Sequence, residues 1–142
     1  MTEFIARIES SFARLAPNAE ELVHDFYASL FAAAPQVRSL FPEQLDGQAK
    51  KLVDSLALVA NHVGALHMLA APLRALGQRH VAYGARPEHY GLVRDTLVAV
   101  MARHAEGWWT EQLTADWTQA LDLVAGAMLA GASEGSSTSP TA

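Results

Sequence analysis

One histidine of this chain, His80, stands in a short helical pattern whose neighbours make it a candidate metal ligand. Leu76 lies one turn before His80 on the same helix face, so the imidazole adjoins an apolar surface. Far upstream come Tyr27 on an apolar helix, Phe41 after a Pro-led turn, and Gln48 at the opening of another helix. A helical histidine that faces an apolar cavity holding a tyrosine and a glutamine meets the requirements of a haem-iron ligand site.

The chain lacks the sequence motifs of other metal sites and of hydrolytic active sites. The chain has six histidines, but no pair has the spacing of a helical zinc site, and no Glu-x-x-His motif is repeated on two helices. There is no glycine-rich phosphate loop and no Gly-x-Ser-x-Gly motif. The absence of cysteine excludes disulfides, thiolate zinc sites and cysteine nucleophiles.

Length, composition and charge narrow the classes of protein to which this chain can belong. A length of 142 residues suits one domain with one core. Hydrophobic residues make up 51% of the chain, yet no apolar run reaches the length of a membrane span. The net charge is −5 with acidic and basic residues interspersed, which argues against a nucleic-acid partner. The N-terminus has no basic region ahead of an apolar stretch, so we expect no secretory signal and a cytoplasmic protein.

Apolar residues recur at helical spacing along most of the chain, which predicts an all-α fold without strands. Asn18 and Glu21 have the spacing of a capping box at a helix start. The predicted helical segments are 3–15, 18–34, 35–41, a long helix from about 46 to 63, a short helix ending at 84, a helix from 87 to about 106, and 110–129. A loop is predicted at 42–47 and a break at 64–72, which contains Gly64 and Pro72.

Each predicted helix has an apolar stripe and must bury it, so six to eight helices should pack around one core. Residues 131–142 are rich in glycine, serine and threonine, which predicts a disordered C-terminal tail after a single domain at 1–130. Periodicity alone does not separate a haem fold from a four-helix bundle or a helical signalling module.

Short motifs in a fixed order narrow these alternatives. They are the segments 26–31, 35–41, 76–80, 87–90 and 115–117, with Gln48, Lys51 and Leu52 between the second and the third. Over residues 18–130 this order resembles a bacterial single-domain globin, similar to the bacterial haemoglobins and to the globin domain of flavohaemoglobins. The resemblance implies a globin fold of six to eight helices around a pocket for haem b, iron protoporphyrin IX.

The resemblance implies that His80 is the proximal ligand of the iron. Its other ring nitrogen then needs an acceptor, usually a backbone carbonyl, that fixes the tautomer. Phe41 would stack against the haem, and Leu76 would lie on the proximal side. Tyr90 occupies a position that flavohaemoglobins use in a His-Tyr-Glu network beside the ligand. This chain departs from that pattern, because the glutamate position falls on Ala132, with Glu134 two residues further.

The distal side of the implied pocket carries two donors. Tyr27 and Gln48 would donate hydrogen bonds to bound dioxygen, each worth roughly 1.5–3 kcal/mol, and would favour oxygen over the less polar CO. Leu52 shares a helix face with Gln48 and would keep water out. The alternatives are a Tyr27 hydroxyl at the surface and a solvated Gln48 amide. Lys51 faces solvent, pairs with a haem propionate or approaches the iron itself.

The expected function is reversible binding of dioxygen, NO and CO, for transport or storage. One alternative is nitric oxide dioxygenation. Because we expect no flavin or nicotinamide domain after residue 130, a separate reductase would have to return the electrons. Others are a haem-based gas or redox sensor and a helical module without haem.

Overall fold

Six α-helices and three short 3-10 segments form the protein. The computed structural model describes the backbone of residues 2–82 and 84–137, and the side chains of these residues up to 131. The helices are α1 (Thr2–Leu15), α2 (Ala19–Ala33), α3 (Asp46–Asn61), α4 (Ala70–Ala82), α5 (Pro87–His104) and α6 (Glu111–Ser137). The 3-10 segments are Ala16–Asn18, Pro35–Leu40 and Val63–Leu69. Because these described residues include no strand, the all-α prediction is confirmed.

The first and last helices are joined through a polar contact inside the core. The buried face of α1 consists of Phe4, Ile8, Ser11 and Leu15. The indole N–H of the fully buried Trp117 on α6 donates to the hydroxyl of Ser11, with a distance of 2.9 Å. Ser11 in turn donates to the backbone carbonyl of Arg7 at 2.7 Å. A buried serine therefore completes the stripe, and Phe12 is only half-buried.

A buried carboxylate adds a second link between these helices. Asp116 of α6 accepts hydrogen bonds from Arg7 Nε (2.5 Å) and Nη2 (3.1 Å) and from Gln112 Nε2 (2.9 Å). Burial raises the pKa of Asp116, but the hydrogen bonds from Arg7 and Gln112 and the charge of Arg7 outweigh it, so the pKa lies below its ordinary value. The carboxylate is therefore charged and fully paired at neutral pH.

One predicted helix cap and one predicted helix start differ from the structure. Asn18 is the N-cap residue of α2, as predicted, but its side chain makes no hydrogen bond there, so the predicted capping box is wrong. The reason is that the 3-10 turn Ala16–Asn18 leads directly into the helix. Helix α4 begins at Ala70, earlier than predicted, because Pro72 then lies in the first turn, where a missing N–H costs no helix bond. The predicted break is a 3-10 segment over most of its length.

Helices α4 and α6 approach each other at backbone distance. A Cβ at Gly77 of α4 would overlap the carbonyl oxygen of Met128, and a Cβ at Gly131 of α6 would overlap the backbone of Arg74. Only glycine permits such contacts at both positions. The helix that carries His80 is therefore seated directly on α6.

The end of α6 corrects another expectation. The helix continues to Ser137, past the predicted end at Leu129, so residues 131–137 of the predicted tail are helical. The close contact at Gly131 packs the start of this segment against the backbone of Arg74 in α4. Residues 138–142 of the predicted tail lie outside the described residues.

None of the described helices is by itself long and apolar enough to cross a bilayer. A pair bent by 113°, Asp46–Asn61 with Val63–Ala82, meets the length and composition requirement only when both helices are taken together.

Candidate functional site

The ring of His80 is oriented by its own helix. Its Nδ1 lies 2.8 Å from the backbone carbonyl oxygen of Leu76, one turn earlier in α4. Because a carbonyl oxygen can only accept, Nδ1 carries the proton and the neutral ring has its lone pair on Nε2. The carbonyl of Leu76 is thus the kind of acceptor that a histidine ligand requires.

The backbone after His80 is fixed by a glycine turn. Gly84 has a φ of +95°, a left-handed conformation that side chains with a Cβ rarely adopt. Its N–H donates to the carbonyl of Val81 at 3.0 Å, and the N–H of Ala85 donates to the carbonyl of His80 at 2.9 Å. These two bonds form a Schellman motif, which closes the helix within one turn of His80.

Aromatic rings of α2 and of the following turn surround Tyr27. The ring centroid of Tyr27 lies 5.7 Å from that of Phe41 in an edge-to-face arrangement and 6.0 Å from that of Phe31 in a stacked one. Phe31 and Phe41 also meet edge to face at 5.2 Å. Tyr27 is only 3% exposed, whereas Phe41 is half-buried. The ring of Tyr27 therefore lies in the core and not on the surface.

The hydroxyl of Tyr27 is a neutral donor. Burial raises its pKa to about 12, so the phenol stays protonated at neutral pH. Tyr27 makes no hydrogen bond to any described residue. Among the described residues, every side-chain nitrogen or oxygen that is fully shielded from solvent has a hydrogen-bond partner. Its hydroxyl oxygen therefore borders accessible space and can donate to a group placed there.

The candidate residues are divided between two apolar clusters. The larger cluster, which we call the distal cluster, includes Tyr27, Phe41 and Leu52. The smaller cluster is formed by α4, α5, α6 and the 3-10 segment Val63–Leu69 and includes Leu76 and Tyr90; we call it the proximal cluster. The two clusters share only Leu66 among the described residues, so the two sides that the sequence assigns to the pocket are built by largely different side chains.

Helix α3 contributes three more candidates with different exposures. Gln48 and Leu52, one turn apart, are half-buried, while Lys51 between them is exposed. Lys51 forms no ion pair with any described residue. The structure therefore places Gln48 and Leu52 towards the core and Lys51 at the surface.

Tyr90 packs against apolar side chains on the proximal side. The cluster it belongs to is formed by α4, α6 and the 3-10 segment Val63–Leu69, and burial raises the pKa of Tyr90 above its ordinary value. The side chains of Ala132 and Glu134 lie outside the described residues, so the absence of a glutamate partner stays a prediction.

A cleft of about 510 Å³ opens between the 3-10 segment Pro35–Leu40 and the corner that joins α4 to α5. Val37 and Leu92 line it with apolar surface, and Arg86 and His89 line it with nitrogen donors. The backbone N–H of Arg86 donates to Nδ1 of His89 at 3.0 Å, so Nε2 of His89 carries the proton. The sequence pattern assigned no role to Arg86 or to His89, although His89 lies within the motif 87–90.

Arg38 was also missed, although it lies within one of the recognised motifs. Its guanidinium donates to the backbone carbonyls of Pro42 and Glu43, each at 3.1 Å, and lies 5.1 Å from the ring centroid of Phe31. No spacing rule predicts these contacts, because they depend on how the irregular loop after the turn is folded.

The described residues contain no group of three or more His, Asp or Glu side chains that could hold a metal ion by themselves.

The comparison with protein families decides the fold family. The family model for globins matches residues 24–128 of the chain. The chain belongs to the globin family. This globin is 31% identical to a flavohaemoprotein of Rhodopirellula baltica over 90 residues, which cover 61% of the chain and 22% of the relative. It is 27% identical to a globin-like protein of Aquifex aeolicus, with 87% of each chain covered.

A flavohaemoprotein of Vibrio cholerae is 25% identical to this globin and aligns with 87% of the chain and 32% of the relative. The chain thus spans about a fifth to a third of the length of these flavohaemoproteins. Globins as a family generally bind haem.

Solved structures confirm the predicted globin fold. A bacterial globin from Campylobacter jejuni superposes with a TM-score of 0.85 at 22% identity, covering 94% of this chain and 97% of that one. An engineered carbene transferase, built from a candidate nitric oxide dioxygenase of Rhodothermus marinus, gives 0.87 at 23% identity, covering 97% and 96%.

Proposed function

We propose that this globin binds haem b through His80 and reversibly binds dioxygen, NO and CO. The observation that carries the proposal is the hydrogen bond from His80 Nδ1 to the carbonyl of Leu76, beside the proximal cluster. That bond holds the ring in the tautomer whose Nε2 can coordinate iron. His62 makes a similar bond at the end of α3, to the carbonyl of Leu58, so the bond supports the assignment only together with its apolar surroundings.

The side chains present fit a flat, largely apolar prosthetic group. Phe41, Leu52 and Leu76 are half-buried rather than buried, so each has apolar surface that a bound ring system would cover. The propionates of haem need cationic or N–H partners. Arg86 and His89 in the cleft can supply them, whereas Lys51 is exposed and would have to reach inward.

Haem supplies a ferrous iron that takes up a diatomic gas. The chain supplies the polarity around that gas: Tyr27 donates from a phenol that stays neutral, and Gln48 offers an amide. A hydrogen bond to a ligand with partial negative charge is worth roughly 1.5–3 kcal/mol, which favours dioxygen over CO. Leu52, one turn from Gln48, would exclude water.

Nitric oxide dioxygenation is the second candidate, because several relatives are flavohaemoproteins. Bound haem would supply the one electron that converts NO and dioxygen to nitrate. A reductase would have to replace that electron for each turnover. Sustained NO consumption with a reductase would support it, and a single turnover would count against it.

The test of haem ligation is the visible absorption spectrum of the haem-supplied protein in its ferric, ferrous, oxygen-bound and CO-bound states. We expect histidine-ligated haem spectra in the native protein and their loss in His80→Ala. The matched control is His62→Ala, which removes the same type of histidine–carbonyl bond at the end of α3 and should leave the spectra unchanged. Unchanged spectra in His80→Ala would refute the assignment of the ligand.

A further inference from the structure

Arg38 holds the loop that follows the 3-10 segment Pro35–Leu40. Its Nη1 donates to the carbonyl of Pro42 at 3.1 Å and makes a longer contact of 3.4 Å with the carbonyl of Phe41. Its Nη2 donates to the carbonyl of Glu43 at 3.1 Å. The rigid fork of donors on a guanidinium allows one side chain to hold several acceptors at once. Arg38 therefore fixes the backbone that carries Phe41.

The same guanidinium contacts the aromatic rings beside Tyr27. Its central carbon lies 5.1 Å from the centroid of Phe31, within the range of a cation–π interaction. Phe31 is stacked on Tyr27 with an interplanar angle of 10°, and it meets Phe41 edge to face. One charged side chain is thus in contact with Phe31 and with the backbone of Phe41, the two rings that border Tyr27 on this side.

We propose that Arg38 is a positioning residue that directs the hydroxyl of Tyr27 towards the bound gas. The inference rests on the proposed function, because it presupposes a gas bound on the distal side. The loop after Leu40 has no regular helix, so the side chain of Arg38 supplies hydrogen bonds that the backbone lacks there. Without the guanidinium, Phe41 and Phe31 lose a common support, and Tyr27 gains rotational freedom.

The direct test compares Arg38→Gln and Arg38→Lys with the native protein. The readouts are the infrared stretching band of CO bound to the haem-loaded protein and the rate of oxygen dissociation. We expect Arg38→Gln to broaden or split the CO band and to speed oxygen dissociation roughly three- to tenfold. On a free-energy scale this is about half of the effect expected when Tyr27→Phe removes the hydroxyl. Arg38→Lys keeps the charge but not the planar fork, so its effect should be intermediate.

The control variant is Arg14→Gln. Its guanidinium lies 4.2 Å from the ring of Trp108, so the substitution removes a similar cation–π contact outside the distal cluster's Tyr27–Phe31–Phe41 group. This variant should keep the native CO band and the native oxygen dissociation rate. An equal effect of both substitutions would overturn the inference, because it would indicate a general loss of stability.

A double variant separates positioning from a direct role. If Arg38 acts through Tyr27, then Arg38→Gln has no further effect on oxygen dissociation in a Tyr27→Phe background. An undiminished effect in that background overturns the inference. Failure of the proposed function looks different, since the native protein itself would then give no haem-bound CO band, and the inference would fall with it.

Discussion

Replacing Tyr27 by Phe removes one hydroxyl and leaves the surrounding rings in place. The hydroxyl makes no hydrogen bond to a described residue, so no internal partner loses a bond. The free energy of unfolding of the haem-free protein should therefore change by less than about 1 kcal/mol. In the oxygen-loaded protein, loss of a hydrogen bond worth roughly 1.5–3 kcal/mol should raise the dissociation rate about ten- to hundredfold.

The assay is stopped-flow replacement of oxygen by CO, with CO replacement by NO as the internal reference. CO dissociation should change much less, because bound CO is a weaker acceptor. An oxygen dissociation rate equal to that of the native protein would remove Tyr27 from the mechanism, unless Gln48 alone holds the ligand. Tyr27→Phe/Gln48→Leu decides between these cases, and a native rate in this double variant would refute the whole distal assignment.

The raised pKa of Tyr27 gives an independent check that needs no haem. The folded-state pKa is about 12 against an ordinary value of 10.0. As pH rises through this window, the unfolded chain loses the proton while the folded protein retains it, so the native protein loses stability. Tyr27→Phe lacks this contribution and should lose less stability between about pH 10 and pH 12. If the free energy of unfolding of both proteins fell in parallel with pH, in urea titrations, the raised pKa of Tyr27 would be contradicted.

Two further substitutions test the scaffold. Gly77→Ala should destabilise the protein by about 1–3 kcal/mol, because the added Cβ overlaps the backbone of α6. The control is Gly126→Ala, whose Cβ meets no atom within 4 Å and which should stabilise the protein by up to ~1 kcal/mol. Equal urea midpoints for the two variants would contradict the close contact between α4 and α6. The pKa of Asp116 is lowered by Arg7, so its contribution to stability is present above the ordinary value of 3.8 and is lost as pH falls below it. Asp116→Asn should have a lower free energy of unfolding at pH 7 than the native protein, and its free energy of unfolding should fall less as the pH is lowered. The control Asp122→Asn removes an exposed partner of an ion pair and should change neither the free energy at pH 7 nor its pH dependence.

The short motifs predicted much of the fold and the identity of the candidate residues. The sequence predicted the start of α3 at Asp46 and the glycine that ends the His80 helix, because helix periodicity and a C-terminal glycine are local signals. The requirement of an acceptor for the ring of His80 could also be stated in advance. Its identity as Leu76 follows from helix geometry, since the carbonyl one turn earlier faces the side chain.

The features that sequence reasoning missed depend either on contacts between distant segments or on the fold of an irregular loop. The bond from Trp117 to Ser11 joins residues 106 positions apart, and it makes a serine part of the core. The continuation of α6 depends on Gly131 lying against α4, whereas its composition alone suggests disorder. Arg38 acts on an irregular loop, where no periodicity exists to indicate a side-chain clamp.

The proximal and distal sides of the candidate site are held by different parts of the chain. On the proximal side, the carbonyl of Leu76 orients His80, and the close contact of Gly77 with α6 seats the helix. On the distal side, Arg38 and the rings it contacts border Tyr27. Short motifs predict which residues belong to each side, but the distal cluster draws on residues 4–121 and the proximal cluster on residues 66–128. The spatial relation between the two sides depends on helix packing, which no single motif encodes.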